Sequence, residues 1–201
     1  MRVQFYGIND KVIAKAVDVL SKGGLIIYPT DTVYALGCAS NHVQALAKLA
    51  TLKNAKKTKP PVSLVCSSIS QATGYTGQID NATFRLLKSH LPGPFTFILP
   101  VTQKIPKALG KRSSIGVRVP DHSGVQALIQ ALGQPLASAS LHDEDEIRDY
   151  ITDPDEIEQI WGKVVNLFLD SGFGGNQPSS VIDLCEATPQ ILREGAGTFQ
   201  G

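Results

Sequence analysis

The apolar positions change their period several times along the chain, and each change marks an element. From Asn9 to Lys22, Val12, Ile13, Ala16, Val17 and Leu20 recur at helical spacing and form one face. Asn9 or Asp10 can cap that helix and Gly23 can end it. The pattern then becomes an unbroken run, Leu25 to Tyr28, short enough for one buried strand. Pro29 closes the run, because it has no N–H to give a neighbouring strand. Asn41 heads a second helical pattern, with Val43, Leu46, Ala47 and Ala50 at i, i+3, i+4 and i+7. Further strands are expected at Val62–Cys66, Phe95–Leu99, Ile115–Val119, Pro135–Ser140 and Val164–Leu169. Ser180–Leu184 and Pro189–Arg193 read as a closing pair. Between them fall helices capped by Asp80 and by Asp153, the latter with Pro154 at the first helical position, and a helix carrying Val125, Leu128, Ile129 and Leu132. At least seven strands alternate with helices over short connections. That predicts an α/β fold: one compact domain over residues 1–201, with a twisted mixed sheet of parallel and antiparallel strands flanked by helices.

Polar residues interrupt this pattern most sharply after Pro29. Thr30, Asp31, Thr32 and Tyr34 place four hydrogen-bonding side chains in five positions, at the C-terminal end of a buried strand. Two readings stand side by side: an Asx- or Ser/Thr-type turn into a helix, or a ligand site of the kind open α/β sheets carry there. PLASAS at 135–140 is a strand of small residues, which lets a ligand or another backbone come close. Arg118, just before Pro120, is either a salt-bridged residue or an anion ligand. The Gly-rich stretch SGFGGNQPSS fits neither a Walker loop nor GxGxxG.

Charge adds an asymmetry that the net value of +1 hides. Residues 1–125 hold 16 Lys/Arg and 5 Asp/Glu, whereas residues 126–201 hold 3 and 13. Lys53, Lys56, Lys57 and Lys59 crowd one loop, which is a solvated turn or a phosphate-facing patch. The acids between 143 and 158 are explained by a solvated, dipole-favoured helix start. Cys38, Cys66 and Cys185 are odd in number and far apart, so they read as reduced thiols and not as a disulfide or zinc framework. No run approaches the roughly 18 apolar residues of a membrane span, and the N-terminus lacks a signal-peptide core. The expectation is a cytoplasmic protein with no membrane partner.

Six stretches together carry a resemblance: PTDTVYALG at 29–37, LPGPFTFIL at 91–99, IGVRVPDH at 115–122, PLASAS at 135–140, SSVIDL at 179–184 and LREGA at 192–196. In that order they resemble the YrdC/Sua5/YciO family over about residues 10–197, with most in common with the YciO branch and without the extra C-terminal domain of Sua5. The resemblance implies a nucleotidyltransferase that makes threonylcarbamoyl-AMP and pyrophosphate from L-threonine, bicarbonate and ATP, with Mg²⁺ carried by the ATP and no tightly bound cofactor. It links the protein to t6A modification of tRNA. It also implies an alternative: a protein that binds double-stranded RNA or tRNA through Lys53, Lys56, Lys57 and Lys59, with a degraded catalytic site.

On that chemistry the residues take the following roles. Thr30, Thr32 and Tyr34 offer neutral hydrogen bonds to threonine, and Ser180 donates to an acyl or phosphate oxygen. Arg118 and Arg193 are each suited to hold a carboxylate or phosphate in bidentate fashion. Lys53 faces the triphosphate, and Ser140 and Ser179 donate to phosphate. Lys53, Ser140, His142 and Arg118 make up the expected catalytic set. Two departures from the family pattern bear on activity. Active members carry KxR and SxN pairs; here they read Lys53-Asn54-Ala55 and Ser140-Leu141-His142. An arginine and an asparagine are gone, so reduced activity is expected.

Overall fold

A computed structural model describes residues 1–52, 62–101, 105, 107–141 and 150–200. Their strands form one sheet in the order β1-β8-β2-β3-β7-β4-β6-β5-β9-β10. The strands are β1 (Arg2–Gln4), β2 (Ile26–Tyr28), β3 (Ala35–Ala39), β4 (Ser63–Val65), β5 (Phe95–Pro100), β6 (Ser114–Arg118), β7 (Leu136–Ser140), β8 (Leu167–Asp170), β9 (Ser180–Asp183) and β10 (Gln190–Arg193). The helices are α1 (Asp10–Ser21), α2 (Val43–Leu52), α3 (Ile69–Thr76), α4 (Asn81–His90), α5 (Ser123–Leu132) and α6 (Pro154–Trp161). The sheet is mixed, as expected: β1/β8, β2/β8, β4/β6 and β5/β9 run parallel and the other neighbours antiparallel.

Local signals set the helix ends. Asn9 caps α1 by accepting from Val12 N–H, and Gly23 (φ +78°) follows its last turn. Asp80 and Asp153 cap α4 and α6. One cap differs from expectation. It is His42, not Asn41, whose Nδ1 accepts from Ala45 N–H at 3.3 Å, so α2 starts one residue later. The hydroxyl-rich segment after Pro29 does not lead into a helix either. It turns back into β3, which pairs antiparallel with β2 through Ile26↔Gly37 and Tyr28↔Ala35.

Two cores sandwich the sheet. On one face α2, α3, α4 and α6 bring Leu49, Ala72, Leu87 and Ile157 against Leu64, Phe97, Val117, Ala137 and Ile182. On the other, α1 and α5 bring Ile13, Ala16, Leu20, Val125, Leu128 and Ile129 against Ile26, Leu136, Leu167 and Leu169. Because side chains alternate between faces, each strand shows which core it feeds. That alternation also shows where cover stops. Along β7, Leu136 lies in the core with α1 and α5, while Ser138 and Ser140 line an open cleft. Two helices cover only part of this face, and the rest of it is the floor of the cleft.

Candidate active site

The cleft has a volume of about 420 Å³. Its floor is the uncovered set of alternate residues: Ser63 on β4, Thr96 and Ile98 on β5, Gly116 and Arg118 on β6, Ser138 and Ser140 on β7. Small and hydroxylated side chains replace the apolar ones found beneath the helices. Gly116 keeps the floor open, because a Cβ there would lie 2.6 Å from Ser63 Oγ and force that hydroxyl to turn. Under the floor, Tyr28 O–H donates to Ser138 Oγ at 2.6 Å, and Ser138 donates to Leu36 O at 3.3 Å. Burial pushes the Tyr28 phenol up to about 12, so it stays protonated and keeps this donor role.

Arg118 is the centre of charge. Its side chain is 7% exposed and that of Asp31 10%. One terminal nitrogen of Arg118 makes an ion pair with Asp31 Oδ1 and donates to Thr32 Oγ1 at 2.8 Å and Thr30 Oγ1 at 3.3 Å. Thr30 Oγ1 also accepts from Thr32 N–H at 3.1 Å and donates to Val33 O at 2.6 Å. The 30–34 segment is therefore both a Ser/Thr turn and the cradle of an arginine. Arg118 Nε and Asp31 Oδ2 are buried and have no partner among the described residues. A buried polar group left unsatisfied costs on the order of 1–3 kcal/mol, so both atoms are poised to accept a ligand or water as partner.

At the far side of the cleft stands Arg193, at the end of the edge strand β10. Its Nε and one terminal nitrogen donate to Ser179 O at 3.1 and 2.7 Å, and the latter also reaches Ser179 Oγ at 3.3 Å. Ser179 Oγ lies 2.8 Å from Thr96 Oγ1. The cleft is thus bracketed by two guanidinium groups, each oriented by its neighbours, over a hydroxyl-lined floor. Guanidinium groups of this kind have the geometry to donate in pairs to anionic oxygens.

The Gly-rich stretch makes a close backbone approach to the 30–34 turn. Asp170 Oδ1 accepts Gly172 N–H at 2.8 Å and starts the loop. A Cβ on Gly174 would sit 2.7 Å from the Tyr34 ring, and one on Gly175 would run into the Thr32 carbonyl. The loop packs onto the 30–34 turn, and the two enclose a second pocket of about 210 Å³ lined by Asp31, Thr32 and Tyr34.

Of the residues expected from sequence, Thr30, Arg118, Ser140, Ser179 and Arg193 come together in the cleft. Thr32 contributes indirectly, by holding Arg118. Two do not reach the cleft. Tyr34 spends its hydroxyl on the Gly-rich loop, donating to Gly172 O at 2.7 Å and accepting from Ser171 N–H at 2.9 Å. Ser180 opens β9 one residue after Ser179 and points to the face opposite the cleft; it donates to Gly197 O at 2.5 Å and accepts from Gly195 N–H at 2.9 Å. Lys53, Lys56, Lys57, Lys59, Ala55 and His142 lie outside the described residues. Sequence reasoning missed Ser63, Thr96, Ser138, Tyr28 and Tyr150, which all line the cleft. Strand phase puts the three hydroxyls at 63, 96 and 138 on one face, but only the uncovered state of that face marks them as site residues.

Fold and site together define a mixed-sheet α/β protein with a half-covered sheet and an open cleft bracketed by two arginines. The family model for Sua5, YciO and YrdC, described as "Telomere recombination", matches residues 18–195. The chain belongs to this family. It is 39% identical over 192 residues to the uncharacterized protein YciO of Escherichia coli, covering 94% of this chain and 91% of that one. An uncharacterized protein of Haemophilus influenzae is likewise 39% identical over 190 residues, with the same coverage. The crystal structure of E. coli YciO superposes with a TM-score of 0.89 at 37% identity, over 98% of this chain and 97% of that one. P. abyssi Sua5 in complex with L-threonine gives a TM-score of 0.84 at 26% identity, over 97% of this chain and 57% of that longer one. Among the described residues no helix is long and apolar enough to cross a membrane.

Proposed function

We propose that the cleft binds ATP and L-threonine and that the protein is a threonylcarbamoyl-AMP synthase of reduced activity, acting towards tRNA t6A modification. The observation that carries this reading is the pair of oriented arginines, Arg118 and Arg193, facing one hydroxyl-lined cleft. The L-threonine complex of the relative P. abyssi Sua5 supports the amino-acid half. In this reading the Arg118 Nε takes a carboxylate oxygen, and Thr30 lies beside it. Arg193, Ser179 and Ser140 take the nucleotide, with Mg²⁺ arriving on its phosphates as part of the substrate.

The chemistry needs no covalent residue. The threonine nitrogen attacks the carbon of bicarbonate, and water leaves to give the carbamate. A carbamate oxygen then attacks the α-phosphorus of ATP, and pyrophosphate departs with the P–O bond electrons. The chain supplies position and positive charge. The missing arginine at Ala55 and asparagine at His142 set the rate: a lost charged interaction of roughly 1.5–3 kcal/mol in the transition state corresponds to about ten- to a hundredfold.

The test is titration calorimetry with MgATP and L-threonine, separately and together, followed by pyrophosphate release with bicarbonate present. The expected result is heat with MgATP, tighter threonine binding in its presence, and slow turnover that Ala55→Arg with His142→Asn accelerates. Absence of heat with either ligand at millimolar concentration refutes the reading and leaves the double-stranded RNA alternative to be tested by a salt-dependent binding assay.

A further inference from the structure

The chain after β10 does not leave the molecule. It folds back as a strap, residues 194–200, across β9 and towards β5 and α4. Three hydrogen bonds tie its start to β9 and the residues just before it: Gly195 N–H to Ser180 Oγ at 2.9 Å, Ser180 O–H to Gly197 O at 2.5 Å, and Ala196 N–H to Pro178 O at 2.8 Å. Two glycines make the approach possible. A Cβ on Gly195 would strike the Pro178 carbonyl, and one on Gly197 would sit 2.5 Å from the Phe95 ring. The strap's far end is held by His90: Phe199 stacks on its ring at 5.1 Å between centroids, and Gln200 N–H donates to its Nε2 at 3.4 Å. Most of the strap lies beyond residue 195, where the family match stops.

The strap matters because of what precedes it. Arg193 is the last residue of β10, and β10 is an edge strand whose four residues are all exposed. Its register with β9 slips between Ile191 and Arg193. Among the described residues, β9 is the strand's one neighbour in the sheet, so apart from the Arg193 bonds to Ser179 the ladder holds its end loosely. The Ser180 hydroxyl grips the chain two residues beyond Arg193, from the sheet face opposite the cleft.

We propose that Ser180 is a positioning residue: through the strap it fixes the end of β10, and so aims the Arg193 guanidinium into the nucleotide half of the cleft. This rests on the reading that Arg193 contacts the nucleotide. Ser180 itself touches no ligand. It acts by satisfying two backbone groups with one hydroxyl, and a methyl group in its place releases both.

Ser180→Ala tests this by calorimetry. MgATP affinity is expected to fall about tenfold, the scale of one charged hydrogen bond, while L-threonine affinity measured without nucleotide stays within about twofold. In an Arg193→Ala background the Ser180→Ala effect on MgATP is expected to vanish, because both changes remove the same contact. Equal losses for both ligands, or an undiminished loss in the Arg193→Ala background, would mean that Ser180 is only structural and overturn the proposal. Phe199→Ala loosens the other end of the strap and is expected to give the same selective loss should Ser180→Ala fold poorly. A ligand-free readout separates this proposal from the function it rests on: amide hydrogen exchange at residues 191–196 is expected to speed up in Ser180→Ala, with β2 and β3 unchanged. If wild-type protein gives no heat with MgATP, the proposed function fails while the exchange measurement still decides the strap. Unchanged exchange at 191–196 overturns the strap whatever the ligands do.

Discussion

The two halves of one sheet face invite comparison. Under α1 and α5 the inward positions are Ile26, Leu136, Leu167 and Leu169, all fully buried. Beyond the helices the same alternation yields Ser63, Thr96, Gly116, Ser138 and Ser140. Both halves share strands, pleat and twist, and differ in cover. Where a helix supplies apolar surface, the strand answers with leucine and isoleucine, because burial without a hydrogen-bond partner penalises anything polar. Where no helix comes, the strands offer mainly small and hydroxylated residues and one arginine, with Ile98 and Val181 among them. The first half gives stability, and the second is the half to which the proposed function assigns recognition. Tyr28 stands at the border, its ring in the covered core and its hydroxyl on Ser138.

Substitutions can break that division or sharpen it. The largest effect is expected at Arg118, because it is the exception: a buried charge in the recognition half. Arg118→Ala strands the Asp31 carboxylate in the interior and should destabilise the fold by about 3–5 kcal/mol while abolishing ligand binding. Urea unfolding measures the first and calorimetry the second. Leu128→Ala, in the covered half, should cost about 2–5 kcal/mol in the same unfolding experiment and leave ligand affinities unchanged in the protein that remains folded. Loss of ligand affinity in Leu128→Ala would show that the halves are coupled and not separate. Ser138→Ala sits on the border, removes two buried hydrogen bonds and leaves the Tyr28 hydroxyl without its acceptor, for a loss of about 1–3 kcal/mol in the same unfolding experiment.

A smaller effect is expected from pH. His122 caps α5 through Nδ1 and stacks on Phe5 at 6.0 Å. Burial lowers its pKa below the usual value, against the raising effects of its backbone bond and of Asp31 and Asp121. The unfolded chain therefore binds the proton more readily than the folded one. The contribution is whole above the unfolded pKa of about 6.5 and is lost as pH falls below it. Stability should decline between pH 7 and 5, and His122→Asn, which keeps a good cap, should flatten that decline. The thiols give the mildest contrast. Burial pushes Cys38 and Cys66 up to about 12, and burial with Asp183 nearby pushes the exposed Cys185 up to about 11. Alkylation at pH 8 should label Cys185 alone, and slowly, until the protein is unfolded.

Most strands were legible because short apolar runs bounded by Pro and Gly leave little choice. β3, ALGCA, was not: all five residues are buried, so no alternation marks it, and it follows directly on a turn that also suits a helix start. β1 is three residues long and α3, ISQATGYT, has only a faint apolar face. In the site, Arg118, Thr30, Ser179 and Arg193 were legible from motif and charge. The hydroxyls at 63, 96 and 138 were not, because a lone Ser or Thr in a strand is ordinary until the face it occupies is known to be uncovered. The same ignorance of phase made Ser179 and Ser180 look equivalent. Tyr34 misled for another reason: its hydroxyl has two backbone partners in the Gly-rich loop, more than a hundred residues away in sequence.

The most direct test of the account is amide hydrogen exchange over the whole sheet, with and without MgATP and L-threonine. The account predicts ligand-dependent protection at residues 30–34, 63–65, 138–140 and 179–180, around the uncovered floor, and none in α1, β1 or β8. Protection spread evenly over both halves, or confined to α1, β1 and β8, would contradict the claim that the missing helix cover makes the site.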